Sequence, residues 1–280
     1  MSDDKPLTAS GESEVEPPTP DLSEVFATPD GQDQLADIYC PDPAKRNHAA
    51  VILIHGGGWR TGERHQFRWH AHRLSTLGYL AVTIDYRLSP EHPFPAALED
   101  CQAAVAWLRR EAERFEIDAT RIAAVGSSAG GHLAACIGVM DDPIDGVSTQ
   151  VNCVVDIHGI HDFPDLRNED GAINDNWEVF LGGPYPERKE VWVNASPALQ
   201  TDRNSAAMLI IHDPLDEIVP FDQSRLLVDA LVRAGRPVQF LPTPGSGHGF
   251  FYGHTNPWTR KAWPVVVNWL DQQLVDSTGT

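Results

Sequence analysis

The chain has 280 residues, of which 41% are hydrophobic and 22% charged, and a net charge of −19. That composition suits one large α/β domain with a sizeable core. The acidic balance repels phosphate backbones and anionic surfaces, so neither nucleic acid nor membrane is an expected partner. No apolar run approaches the roughly 18–20 residues of a membrane span. Cys40, Cys101, Cys136 and Cys153 show no CxxC spacing, which argues against a zinc site or a disulfide framework.

Residues 1–20 are rich in Pro, Glu, Ser and Thr and are expected to form a disordered acidic tail. Residues 21–280 are then the folded domain. The N-terminus lacks the apolar core of a signal peptide, so the expected location is cytoplasmic, or extracellular if a native signal has been removed. "EVFATPDGQDQLADIYC" reads as a β-hairpin turning at Pro29-Asp30-Gly31. Strands are then predicted at 50–55, 79–85, 121–125, 151–158, 207–212 and 237–242. Helices are predicted at 64–77, from Pro95 through Phe115, at 129–140, from Phe221 to Gly235, and at 258–274. Gly235 is placed to stop its helix, and Pro264 should kink the last one or mark its true start. Residues 159–205 break the rhythm: they read as a long irregular insertion, of the kind that serves as a lid or binding loop. Alternating β and α with nearly continuous apolar strands predicts a mainly parallel sheet covered by helices on both faces.

In such a sheet, ligands bind beyond the C-terminal strand ends. Four of those ends carry reactive or glycine-rich segments: His55-Gly56-Gly57-Gly58-Trp59, Gly126-Ser127-Ser128-Ala129-Gly130, "HDPLDEIVP" and "TPGSGHGF". Gly126-x-Ser128-x-Gly130 fits a nucleophile elbow, in which small residues allow the sharp strand-to-helix turn. The pattern is short, and its place after an apolar strand and before a helix is what gives it meaning. Only Ser128 has glycines at both −2 and +2, so Ser128 rather than Ser127 is the candidate nucleophile.

A serine hydroxyl needs a base. His248, flanked by Gly247 and Gly249, is the candidate, with His254 the alternative. The base needs an orienting carboxylate. Asp216 is the candidate, with Asp213 closer to the strand and Glu217 adjacent. Ser128, Asp216 and His248 occur along the chain in the α/β-hydrolase order. The glycines after His55 suit an oxyanion hole, assigned to the N–H groups of Gly57, Gly58 and Ala129. Trp59 is expected to wall the pocket. Trp177 and Trp192 could stack on an aromatic or sugar ring, and Trp107 is expected in the core.

These residues resemble α/β-hydrolase esterases, and most closely the bacterial feruloyl and acetylxylan esterase-like family, which overlaps with hormone-sensitive-lipase-like esterases. "HGGGW", "DYRLSPEHPFPAALED", "GSSAGGHLAA" and "FLGGPYPE…ASPAL" carry the match, over roughly residues 23–272. The family often shows His-Gly-Asp or His-Gly-Thr before the acid, where this chain has His212-Asp213-Pro214; Asp216 keeps its register to Val219-Pro220. His158 and His161 fall where the pattern does not require histidine and are expected to line the acyl or alcohol pocket. His158-x-x-His161-Asp162 and His70-Ala71-His72 lack the spacing of a metal site, so neither metal nor cofactor is expected. The implied activity is serine-dependent hydrolysis of short-chain or aromatic acyl esters, including carbohydrate esters. An arylformamidase or peptidase of the same fold, or a non-catalytic binding protein, are the alternatives.

Overall fold

A computed structural model describes residues 16–166 and 175–275. In chain order its strands are β1 (Leu22–Ala27), β2 (Gln34–Tyr39), β3 (Ala50–Ile54), β4 (Leu80–Ile84), β5 (Ile122–Ser127), β6 (Cys153–Ile157), β7 (Ala207–His212) and β8 (Val238–Pro242). They form one sheet of order β1-β2-β4-β3-β5-β6-β7-β8. β2 pairs antiparallel with both β1 and β4, and the pairs from β4 through β8 are parallel. The helices are α1 (Arg68–Thr76), α2 (Ala96–Arg110), α3 (Ala112–Phe115), α4 (Ala129–Val139), α5 (Asp175–Leu181), α6 (Tyr185–Asn194), α7 (Pro197–Gln200), α8 (Asp222–Arg233) and α9 (Pro257–Leu270). No helix among the described residues is long and apolar enough to cross a membrane.

Because successive strand residues point to opposite faces, each central strand feeds two cores. Ile52 and Ile54 of β3 belong to the core shared with α2, α4 and α8, whereas Val51 and Leu53 belong to the one shared with α1 and α9. Every residue of α4 is buried, as expected for a helix apolar all round. The turn at Ser128, at its N-terminus, is thereby anchored to the core. α8 ends in a Schellman motif: Gly235 takes φ 69°, Gly235 N–H donates to Val232 O at 3.0 Å, and Arg236 N–H donates to Leu231 O at 2.9 Å.

Several expectations need correction. The helix predicted from 64 opens with a 3-10 turn, Arg64–Phe67, before α1. α9 starts at Pro257 and continues through Pro264. Segment 159–205 is not irregular: it contains α5, α6 and α7. The prolines that suggest loops stand in the first turns of α6 and α7, where a missing N–H costs nothing. Residues 167–174 of this insertion, and residues 1–15 of the expected tail, lie outside the described residues.

Two buried histidines make stability depend on pH. His70 packs against Phe67, Phe251 and Trp263, and neither ring nitrogen finds a hydrogen-bond partner among the described residues. Burial, with a smaller contribution from Arg73, pushes its pKa down to about 3. Burial does the same to His132, also to about 3. Both stay neutral in the folded chain. Below pH ~6.5 the unfolded chain takes up protons that the folded one refuses, so stability falls as pH drops, by about 1.4 kcal/mol per pH unit for each histidine. The melting temperature is expected to fall between pH 6.5 and 5. His70→Leu should flatten that slope in a calorimetric pH series, and an unchanged slope would contradict the assignment.

Candidate active site

β5 runs on to Ser127, beyond the predicted end at Val125, and α4 begins at Ala129. Ser128 alone makes the turn, at φ 58° and ψ −122°. A non-glycine residue pays on the order of 1–3 kcal/mol for such backbone, which persists only where the surroundings fix it. The flanking glycines provide that fixing by close approach. A Cβ on Gly126 would overlap the Gly130 carbonyl, and one on Gly130 would overlap the carbonyl of Ile54 at the end of β3. Ser127, by contrast, is wholly buried at the strand end, with its Oγ 2.7 Å from His158 Nε2.

His248 sits between two glycines in left-handed backbone, Gly247 at φ 74° and Gly249 at φ 77°. Its Nε2 lies 3.0 Å from Ser128 Oγ, and its Nδ1 lies 2.7 Å from Asp216 Oδ2. The alternative base, His254, instead stacks on Trp69 with ring centroids 4.1 Å apart. Asp216 Oδ1 accepts from the N–H groups of Ile218 at 2.8 Å and Val219 at 3.0 Å. His212 Nε2 stands 3.4 Å from its other oxygen. Burial alone would raise the Asp216 pKa. The hydrogen bonds from His212, His248 and the two N–H groups outweigh it and hold the carboxyl well below the usual carboxylate range. Asp216 is therefore a carboxylate at any ordinary pH.

Asp213, the nearer alternative, does not reach His248. Its buried carboxylate accepts from the N–H groups of Leu215 at 2.9 Å, Gly245 at 3.0 Å and Gly247 at 2.7 Å. The acid loop and the histidine loop are thus tied together at this side chain. Asp213 supplies a brace that only the three-dimensional pairing of the two loops reveals.

The loop after β3 turns through Gly57 at φ 113°, Gly58 at φ 61° and Trp59 at φ 56°. Gly56 N–H donates to Gln66 Oε1 at 3.0 Å, which leaves Gly57 and Gly58 as the loop's candidate oxyanion donors. Ala129, as the first residue of α4, offers a third N–H of the kind left unpaired at helix starts. The "DYRLSP" stretch holds this loop from behind. Tyr86 Oη donates to His55 O at 3.0 Å, and Ser89 N–H donates to Trp59 O at 2.8 Å. That stretch is itself anchored: Arg64 pairs with Asp85, and the buried Arg87 with Asp100.

Two predicted substrate contacts change role. Trp59 is only 2% exposed; it stacks on Phe180 with centroids 4.1 Å apart and donates from Nε1 to His132 Nδ1 at 3.2 Å. It is a floor beneath the loop, its ring packed into the core. His158 is fully buried, with its ring centroid 4.3 Å from that of His248. It packs behind His248 with no surface open to solvent. His161 is likewise buried, its Nε2 2.9 Å from Asp156 Oδ2. Trp192 is buried and donates to Gly183 O at 3.1 Å, and the partly buried Trp177 packs on the core, as does Trp107. Ligand atoms of His158, Asp216 and His248 lie within 4.8 Å of one another. Both nitrogens of His248 are engaged with Ser128 and Asp216, however, and Nε2 of His158 with Ser127.

A strand-to-helix elbow after β5, an acid after β7, a histidine after β8 and a glycine loop after β3, on this strand order, define an α/β-hydrolase. Residues 36–231 match the BD-FAE family, and the chain belongs to it. Among its relatives is Esterase LipC of Mycobacterium tuberculosis, 34% identical over 78% of this chain and 57% of LipC. Esterase LipQ of the same organism is 29% identical over 81% of this chain and 57% of LipQ. The chain therefore spans little more than half the length of these relatives. A thermophilic esterase of Thermogutta terrifontis, Est2, superposes with a TM-score of 0.77 at 27% identity, covering 92% of this chain and 95% of that one.

Proposed function

We propose that the protein is a serine carboxylic-ester hydrolase. The observation that carries this reading is His248 held between Ser128 Oγ at 3.0 Å and the Asp216 carboxylate at 2.7 Å. His248 takes the proton as Ser128 attacks the ester carbonyl. Asp216 fixes the Nδ1–H tautomer and stabilises the imidazolium. The N–H groups of Gly57, Gly58 and Ala129 receive the developing oxyanion. The protonated His248 then gives its proton to the departing alcohol. Water, activated by the same base, releases the acyl group.

The short-acyl reading draws support from Est2, whose solved forms include ones bound to butyrate and to propionate. A cleft of about 470 Å³ opens on Gly57 and Gly58 and continues over Arg60, Thr61, Ser89 and Glu91. Arg60, Thr61 and Glu91 along it offer polar partners to a hydroxylated alcohol such as a sugar. An ester panel running from acetyl to octanoyl, with feruloyl included, tests the assignment. Activity should peak at acetyl to butyryl. A peak at octanoyl would overturn the acyl assignment, and faster turnover of formyl-kynurenine than of any ester would favour the formamidase reading.

Asp213 provides a second test. In Asp213→Asn one side-chain oxygen becomes an NH₂ that cannot accept, so at least one brace between the loops is lost. A charge-assisted bond of this kind contributes about 1.5–3 kcal/mol. The kcat for p-nitrophenyl acetate is expected to fall about tenfold or more as His248 loosens. Wild-type kcat in this variant would show that the brace does not position the base.

A further inference from the structure

Tyr252 lies four residues beyond His248, on the 3-10 turn Phe250–Tyr252. No spacing or motif in the sequence marks it. Its hydroxyl donates to the carbonyl oxygen of Ser127 at 3.1 Å, directly beneath the candidate nucleophile. The same hydroxyl lies against Gly56, so closely that a Cβ there would overlap Tyr252 Oη and stand 2.7 Å from Ser127 O. The ring is seated by Phe67, with centroids 5.7 Å apart, and Tyr252 N–H donates to Gly249 O at 3.2 Å. Three loops therefore meet at one phenol: the histidine loop that carries it, the elbow and the glycine loop.

The place where they meet matters. β3 and β5 are paired only as far as Ile54 and Gly126. Beyond that rung no strand pairing joins the glycine loop to the elbow, yet in the proposed mechanism their N–H groups must converge on one oxygen atom. Gly57 and Gly58 belong to the loop after β3, and Ala129 to the start of α4 after β5. An oxyanion hole works because its donors are already placed before the charge appears. A rigid link just past the last rung supplies that placement.

We propose that Tyr252 is a positioning residue of the oxyanion hole, its hydroxyl fixing the separation between the glycine loop and the nucleophile elbow. This rests on the reading of Ser128 as nucleophile. Burial pushes the phenol up to about 12, against the hydrogen-bonding influence of Ser127 and Ser128. The hydroxyl thus remains a donor across the pH range of ester hydrolysis.

Tyr252→Phe keeps the ring in its seat and deletes only the hydroxyl. Two rates test the proposal: kcat for p-nitrophenyl acetate and the second-order rate of labelling by a fluorophosphonate. Both are normalised to the number of Ser128 sites finally labelled, so that any misfolded fraction drops out. Donors that loosen lose their grip mainly on the transition state. Both rates are expected to fall about tenfold, with KM within about twofold of wild type, as the loss of one aligned hydrogen bond implies. The pH profile should keep its shape, because no proton moves through the phenol. Wild-type values of both rates in Tyr252→Phe would overturn the proposal, as would a rise in KM with kcat unchanged. A wild-type protein that neither hydrolyses the ester nor labels at Ser128 would instead overturn the esterase reading, and the role of Tyr252 with it.

Discussion

Ser128→Ala is expected to abolish ester hydrolysis, with kcat reduced by roughly 10⁴-fold or more, while leaving the fold intact. The size reflects the unit formed by the three side chains: without the attacking oxygen, the base and its carboxylate have nothing to activate, and only oxyanion binding remains. The stability expectation comes from the turn. Alanine meets the same positive φ that Ser128 already adopts, so no new backbone strain is introduced. What is lost is one hydrogen bond to His248, about 1 kcal/mol. Steady-state assay together with the melting temperature separates the two effects. Retention of most activity would mean that another residue attacks, and Ser127 cannot easily be that residue. Its hydroxyl is buried and 2.7 Å from the neutral His158, whose pKa burial and the nearby His248 hold well below 6.5.

Asp216→Asn is expected to be nearly as damaging, with a loss of about 10⁴-fold in kcat, the scale known for removing this charge in serine hydrolases. The reason lies in how the carboxylate divides its work. Oδ1 accepts the N–H groups of Ile218 and Val219, and an asparagine oxygen placed there keeps the loop's shape. Oδ2 faces His248 Nδ1, and asparagine puts NH₂ in its place. Two donors then confront each other, unless His248 moves its proton to Nε2. In that tautomer it cannot accept the proton of Ser128. The variant should fold, bind substrate with little change in KM, and fail at the chemical step. A large rise in KM with kcat preserved would show that Asp216 serves binding instead.

Much of this arrangement is legible in the sequence because the candidate site residues stand at strand ends. The apolar runs at 50–55, 121–125 and 207–212 mark those ends, and the segment just after each run is short and distinctive. Glycine spacing singles out Ser128 because close packing between Gly126, Gly130 and the end of β3 leaves no room for a Cβ. The parts that are not legible depend on pairing between distant loops. The tie made by Asp213 to Gly245 and Gly247 spans two loops whose approach is set by β7 and β8 lying side by side. Tyr252 has a meaning only once the elbow and the glycine loop are in place. His158 and Trp59 mislead for a related reason: proximity in sequence to the site says nothing about which way a side chain turns. Both side chains are buried, packed against His248 and Phe180 respectively. The prolines of the insertion read as breaks, although a proline in the first turn of α6 or α7 starts a helix as readily as it ends one.

The central claim is that Ser128 is the attacking residue of an ester hydrolase. Its most direct test is to label the protein with a fluorophosphonate and map the adduct by mass spectrometry while tracking residual esterase activity. One adduct per chain is expected, on the peptide containing Ser128, with activity lost in proportion to labelling and no labelling in Ser128→Ala. An adduct on Ser127 or elsewhere, or full activity in a protein labelled at Ser128, would contradict it.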